Sequence, residues 1–453
     1  MAPSIILSVL CLLLVLTCGY EQPLEEGFIS GVISDKGLEY AKELLIEKGI
    51  ASILMLQLPE IENSAQVPLV GNAKVVLSNI TITDVQVNSS SVKTGENGIV
   101  LVVSGAIVNL SMRWRYTVSS WLIPIGISDK GTASVKVTGM QVGLTINLRN
   151  QEGSLKLSLL DYGCYVGDMS IKLDGGVSWL YQLLVDAFEG NIASAIEEGI
   201  SEKIKEGIVK LDNFLESLPK NISLDKTATL NVSFVGNPVL SSSSIAIAIN
   251  GLFTEKKEVL VPQGYHQKEL KVSAACGGLP KMIKVSIHEN VFKSASQVYF
   301  NAGKMQLIVD ELPDQAILNT AEWRFIVPEL YKRYPNDDMQ LNISMSSPPV
   351  IQVTYQDVGA TILVDITVEV LEDFEVIPVA SISVSLMSSV LKTVVLPYLN
   401  FKLKRGFPLP IIDGYGFQNA IILYNHPWIA VCSDVFFLED YYFGQQSSSA
   451  YVS

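Results

Sequence analysis

Apolar residues stand at Leu180, Leu184, Phe188, Ile192, Ile196, Ile200, Ile204 and Ile208, and then at Leu211, Leu215 and Leu218. The first seven steps are four residues each, and no proline intervenes before Pro219. The spacing predicts one helix, with Ser178 as a residue suited to its N-cap. At 1.5 Å per residue it extends about 60 Å. A four-residue step overshoots one turn by about 40°, so the apolar stripe spirals round the axis. Such a stripe suits a strongly twisted sheet better than a straight neighbouring helix. It reads either as core or as the wall of an apolar groove, because a stripe this long needs much sheet or a ligand to cover it.

A second helical pattern runs from Gly27 to Gly49 and on to Ile53, with Ser34 as N-cap and Leu38, Ala41, Leu45 and Ile46 at three- and four-residue steps. Between the two helices lie β-rich runs at 69–87, 98–114, 133–148 and 154–166, whose alternation predicts an antiparallel meander with one buried face. The second half repeats the plan loosely. Strands are expected at 228–235, 243–252 and 258–262, a helix at 289–311, further strands from 339 to 387, and a short helix near 388–405.

Of the 453 residues 48% are hydrophobic and 17% charged, which excludes a disordered chain. Forty-six Asp+Glu against 32 Lys+Arg give a net charge of −14, which argues against a nucleic-acid partner. Ile5–Leu16 is an apolar run of twelve residues, shorter than the roughly 20 that span a bilayer. With Thr17-Cys18-Gly19 after it, the run reads as a signal peptide over 1–19, so a secreted, extracellular protein is expected. Sequons at Asn79, Asn88, Asn109, Asn221, Asn231 and Asn342 accord with that compartment. Cys164, Cys276 and Cys432 remain after the signal, an odd number that allows at most one intrachain bridge.

Catalytic chemistry has no anchor. His266, His288 and His426 lack metal-ligand spacing, and no GxSxG, P-loop or GxGxxG is present. Glu197-Glu198 and Asp337-Asp338 sit in polar surroundings as solvated acids. Neither an enzyme nor a metal site is expected.

Four segments carry a resemblance. Residues 33–41 read ISDKGLEYA; Asp161-Tyr162-Gly163-Cys164 follows; Tyr334-Pro335-Asn336 precedes Ser346-Ser347-Pro348-Pro349; and Leu396-Pro397, Asn400 and Lys402-Leu403 lead into KRGFPLP at 404–410. In this order they resemble the family of bactericidal/permeability-increasing protein, lipopolysaccharide-binding protein and phospholipid transfer protein, and its plant members most of all.

The resemblance implies an α+β fold: an elongated two-lobe boomerang, each lobe a twisted antiparallel barrel packed on long helices, joined by a central sheet. The divisions expected are an N-terminal lipid-binding lobe at 20–235, a central sheet and linker region at 236–255 and a C-terminal lobe at 256–453. It also implies apolar pockets for phospholipid acyl chains, with Leu38, Leu45, Ile192, Ile196, Ile200 and Ile204 as candidate lining. No cofactor other than bound phospholipid is implied. The expected partners are phospholipid, lipopolysaccharide and, transiently, a membrane surface, with a role in innate defence. A phospholipid carrier without a microbial role is the alternative, and a secreted esterase a more distant one.

Three departures from the family pattern stand out. The long helix has no Cys to pair with Cys164, which leaves Cys164 expected as a free buried thiol and Cys276–Cys432 as an available pair. Only about eighteen residues separate Ile377-Pro378 from Leu396-Pro397, so the C-terminal lobe is shortened near 380–395. The tip of the N-terminal lobe is also less basic than in strong lipopolysaccharide binders. There Arg113, Trp114 and Arg115, with Lys130 beyond, are the candidates. Alternation puts both guanidiniums on one strand face and the indole on the other, where it serves a membrane interface or an ordinary core. Residues 21–235 hold 17 Lys+Arg against 25 Asp+Glu, so anion binding there must be local.

Overall fold

The computed structural model describes residues 27–67, 71–120, 123–175, 178–256, 276–311, 315–372, 375–386 and 415–437. Strand β1 (Ile29–Ser34) runs directly into helix α1 (Asp35–Ile53). The helix expected from Gly27 therefore starts later, because residues 29–33 pair with a strand on either side. Ser34 does cap it, its Oγ accepting the Gly37 N–H at 3.3 Å.

Eight strands follow: β2 (Gln57–Leu58), β3 (Ile61–Val67), β4 (Gly71–Gln86), β5 (Ser89–Gly95), β6 (Gly98–Ser120), β7 (Ile123–Gln151), β8 (Ser154–Tyr165) and β9 (Asp168–Asp174). They form one antiparallel sheet in the order β2-β4-β6-β7-β8, with β3 on β4, β5 on β6 and β9 on β7. Among the described residues this path is open, not the closed barrel that was expected. Left-handed backbone at Asn79 (φ 53°), Gly105 (φ 69°) and Gly139 (φ 73°) coincides with register shifts. Bulges of this kind bend and twist long strands, as a sheet that wraps a helix requires. β7 extends well beyond the expected 133–148: its polar start reads as loop, yet Asp129, Lys130 and Gly131 pair with Tyr116, Arg115 and Trp114.

Helix α2 (Ser178–Ser217) is unbroken over its 40 residues. Phe188, Ile192, Ile196 and Ile200 join Val75, Leu77, Leu110, Trp114, Val137 and Met140 in the main core, between helix and sheet. From α1 it is Ile46 that reaches this core.

The chain continues with β10 (Asn221–Ser223), β11 (Ala228–Asn231), β12 (Phe234–Ser241), β13 (Ser244–Ile249), β14 (Phe253–Glu255) and β15 (Ile283–His288). Helix α3 (Glu289–Asn301), β16 (Gln306–Val309) and helix α4 (Pro328–Arg333) lead into β17 (Asp338–Met345), β18 (Val350–Val353), β19 (Val358–Glu372), β20 (Glu375–Leu386), β21 (Tyr415–Asn425) and β22 (Trp428–Phe437). The helix expected over 289–311 stops at Asn301 because Gly303 turns left-handed (φ 66°) and the chain enters β16.

β16 to β20 make the sheet of the second lobe, with a small core around Tyr334, Met339, Val368 and Val370. The central sheet has the order β12-β13-β1-β15-β22-β21. The segment expected to supply it, 236–255, accounts for β13 and part of β12 only; the other four strands come from elsewhere in the chain. Residues 1–19, the strand expected at 258–262, the helix near 388–405 and the shortened stretch beyond Leu386 lie outside the described residues.

Candidate functional site

The α2 stripe changes character along its length. Ile192 is 1% exposed, Ile196 0% and Ile200 4%, closed in by the sheet. Ile204 is half-buried at the edge of that core, and Ile208, Leu211 and Leu215 stay half-buried beyond it. Val209 and Phe214 are exposed in the same stretch.

β8 is pinned along the helix here. The Val166 N–H donates to Glu197 at 2.9 Å and the Leu157 N–H to Asp212 at 2.8 Å. Lys156 bridges Asp212 at 2.8 Å and Glu216 at 3.0 Å. Burial works to raise the Asp212 carboxyl, but the Lys156 ammonium and the Leu157 N–H outweigh it and hold it below the usual range. The result is a rigid seam flanked by apolar side chains that the protein covers only in part.

Of the other proposed lining residues, Leu38 is buried in α1 but outside the main core, and Leu45 is 47% exposed. Leu45 is outside the main core; one position on, Ile46 packs against it in its place. Sequence periodicity marked the α1 stripe but did not fix its orientation.

Arg113, Arg115 and Lys130 are exposed on the outer face of β6 and β7, with Arg115 directly opposite Lys130. Trp114 is 1% exposed and belongs to the core, where its indole N–H donates to the Thr132 carbonyl at 3.0 Å and its ring stacks on Tyr116. Its candidacy for the tip is thereby corrected: pleat alternation sends residue 114 inward as it sends 113 and 115 outward.

Outside the core, an open trough of about 630 Å³ crosses β4, β6, β7 and β9. Two registered rows line it, Arg113–Thr132–Asp174 and Ser111–Ser134–Lys172, with Asn79 at its edge. Two cations, one carboxylate and, with Thr81, four hydroxyls suit a polar, partly anionic ligand. Lys172, Ser111 and Ser134 were missed by sequence reasoning; the polar alternation of 168–174 signals an exposed face but not which strand lies beside it.

Cys164 is a free thiol, half-buried beside the core. Burial, reinforced by Glu197, pushes its pKa up to about 12, so it stays protonated at neutral pH. Cys276 and Cys432 are joined by a disulfide. Among the sequon residues, Asn79, Asn88 and Asn221 are exposed, while Asn109, Asn231 and Asn342 are half-buried. The Asn342 amide donates to Glu369 at 3.0 Å and the Asn109 amide to Asp84 at 3.0 Å. No helix among the described residues is long and apolar enough to cross a membrane, and none of their acidic, His and Cys side chains cluster as metal ligands would.

Comparison with known proteins accords with this architecture. Residues 37–218 match the model of the LBP / BPI / CETP family, N-terminal domain, and residues 222–384 match its C-terminal domain. A BPI/LBP family protein of Arabidopsis thaliana is 44% identical, covering 91% of this chain and 93% of the relative. The bactericidal permeability-increasing protein of Sebastes schlegelii is 27% identical over 89% of this chain and 94% of its own. A crystal structure of lipopolysaccharide binding protein superposes with a TM-score of 0.62 at 18% identity, covering 91% of this chain and all of that one, and so shares the two-lobe fold. The chain belongs to the LBP / BPI / CETP family.

Proposed function

We propose that this chain is a secreted lipid-binding protein that shelters acyl chains against the α2 stripe beyond Ile204. A separate polar site on the outer sheet face, Arg113 and Lys172, is proposed to meet the phosphorylated saccharide head groups of lipopolysaccharide at a bacterial surface. The observation that carries the lipid-binding reading is the stripe itself, closed as far as Ile200 and half open from Ile204 to Leu215. Each CH₂ taken from water there gains about 0.8 kcal/mol. A bidentate guanidinium and a neighbouring ammonium suit phosphate, and the trough hydroxyls suit sugar. Relatives named for bacterial permeability and for lipopolysaccharide binding support the ligand class and a role in defence. Among the exposed sequon residues Asn221 is best placed to carry a glycan, since the Asn88 amide donates to the Gly105 carbonyl at 2.7 Å and Asn79 edges the trough. The chain is proposed to bind and not to catalyse, in keeping with relatives named for lipopolysaccharide binding and phospholipid transfer.

Native mass spectrometry of the secreted protein tests the first half: lipid should emerge with it, and protein that carries none and takes up none refutes the reading. For the head group, R113A/K172A should weaken lipopolysaccharide binding several-fold at low salt and less at high salt. A second reading, a phospholipid carrier without a microbial role, is favoured by Asp174 in the trough and by the acidic balance of residues 21–235. Phospholipid retention by wild type together with no measurable lipopolysaccharide binding would select it.

A further inference from the structure

Among the described residues the most exposed large apolar side chains lie in the second lobe. Phe325 is 81% exposed, Ile326 74% and Val327 40%, three consecutive residues in the turn before α4. Scattered apolar exposure is ordinary, but a contiguous run held in water marks a contact surface.

The turn is firmly built. The N–H groups of Ile326 and Val327 both donate to the Trp323 carbonyl, at 2.9 and 2.7 Å. The Trp323 indole donates to the Ile317 carbonyl at 2.9 Å, and Trp323 and Leu330 pack on the small core of the lobe. At the base, fully buried Thr320 donates to the Tyr334 carbonyl at 2.7 Å and accepts the Asp337 N–H at 3.0 Å. Pro328 sits at the helix start, where its fixed φ costs nothing. The fold thus holds three apolar side chains outward on a rigid base.

Three cations, Arg324, Lys332 and Arg333, flank the run, balanced by Glu322 and Glu329 and, below the turn, by Asp337 and Asp338. The Arg324 guanidinium lies 4.6 Å from the Phe325 ring centroid, beside the exposed apolar run. Lys332 pairs with Glu329 at 2.9 Å, but both are well exposed, so the pair yields readily to another anion.

We propose that Phe325, Ile326 and Val327 insert into the interface of a phospholipid bilayer, with Arg324, Lys332 and Arg333 at the level of the head-group phosphates. A protein partner would have to supply a matching groove and polar rim, whereas the backbone of this turn is already hydrogen-bonded within itself. Bare apolar side chains with adjacent cations are what a fluid interface accepts without shape complementarity. The purpose, docking on the membrane where lipid is collected or delivered, rests on the lipid-binding function proposed above.

Vesicle sedimentation of the full chain tests it, with phosphatidylcholine alone and with phosphatidylcholine containing phosphatidylglycerol. Wild type should bind both and prefer the anionic vesicles, while F325D/I326D should partition roughly ten-fold less. The F325W indole should be quenched by lipids brominated near the head group. Equal partition of F325D/I326D and wild type, absence of vesicle binding by wild type, or an unquenched F325W indole overturns the proposal. Lipid retained by F325D/I326D in native mass spectrometry should match wild type, which separates docking from holding. Wild type that docks yet carries no lipid would sink the lipid-holding function and leave the docking turn standing.

Discussion

Trp114 is buried because the residue opposite it has no side chain. A Cβ on Gly131 would lie 2.5 Å from the indole Cζ2 and 2.6 Å from the Asp174 carbonyl. G131A is therefore expected to destabilise the fold by about 2 kcal/mol, read as a lower urea midpoint at unchanged m-value. The α2 ladder gives a sharper contrast. I196A empties a site that is 0% exposed and should cost about 3 kcal/mol. I208A, at a half-buried position, should cost about 1 kcal/mol or less while lowering the lipid recovered with the protein. An I208A protein as destabilised as I196A, with full lipid content, would place Ile208 in a closed core and remove the stripe from the binding surface. At this scale alternation made Arg113 and Arg115 legible in the sequence, since adjacent strand positions face opposite ways. Lys172 was not legible, because it reaches the trough from β9 through pairing with β7.

Elements whose pattern is local were legible. The four-residue ladder marked α2 along its whole length, and Ser34 marked the start of α1. Residues 29–33 were misread as helix because a short apolar run fits either period, and only its two partner strands decide. The cap of α3 was not anticipated at all: His288 Nδ1 accepts the Asn290 N–H at 3.0 Å, an acceptor that protonation removes. Burial among Phe28 and Trp428 lowers the His288 pKa, with Lys293 and His426 helping and Glu289 opposing. A His whose folded pKa is depressed contributes stability that is complete above about 6.5 and lost as the pH falls below it. Melting temperature should therefore drop between pH 7.5 and 5.5, and H288N, which keeps a capping acceptor without the titration, should flatten that slope. A second, lower window belongs to Asp434. Burial raises its carboxyl, but Lys36 at 2.8 Å and Lys281 at 3.3 Å bring it below the ordinary carboxylate value, so its contribution is lost only as the pH falls below about 4.

The two halves of the chain contribute to the central sheet in the same strand order. β1 and β15 lie antiparallel at its middle, and each runs without a loop into a helix capped by the strand's last residue, Ser34 or His288. The hairpin β12–β13 flanks one side and β21–β22 the other. No local pattern could reveal this, since the paired strands stand about 250 residues apart in the chain. The disulfide lies within this arrangement: Cys432, fully buried in β22, is opposite Lys284 of β15 and bonded to Cys276, which precedes β15. It closes a loop of 156 residues that contains α3 and the whole sheet of the second lobe. Chain-entropy arguments give such a loop about 3–5 kcal/mol, arising from restriction of the unfolded chain. C276S/C432S should therefore lower the urea midpoint reported by Trp323 and Trp428 in the second half. The first lobe has no described disulfide, and its core around Trp114 should then unfold where it did before if the lobes are separate cooperative units. A midpoint for Trp114 that falls in step would show the central sheet coupling both lobes into one transition, and midpoints unmoved everywhere would deny the bridge a role in stability.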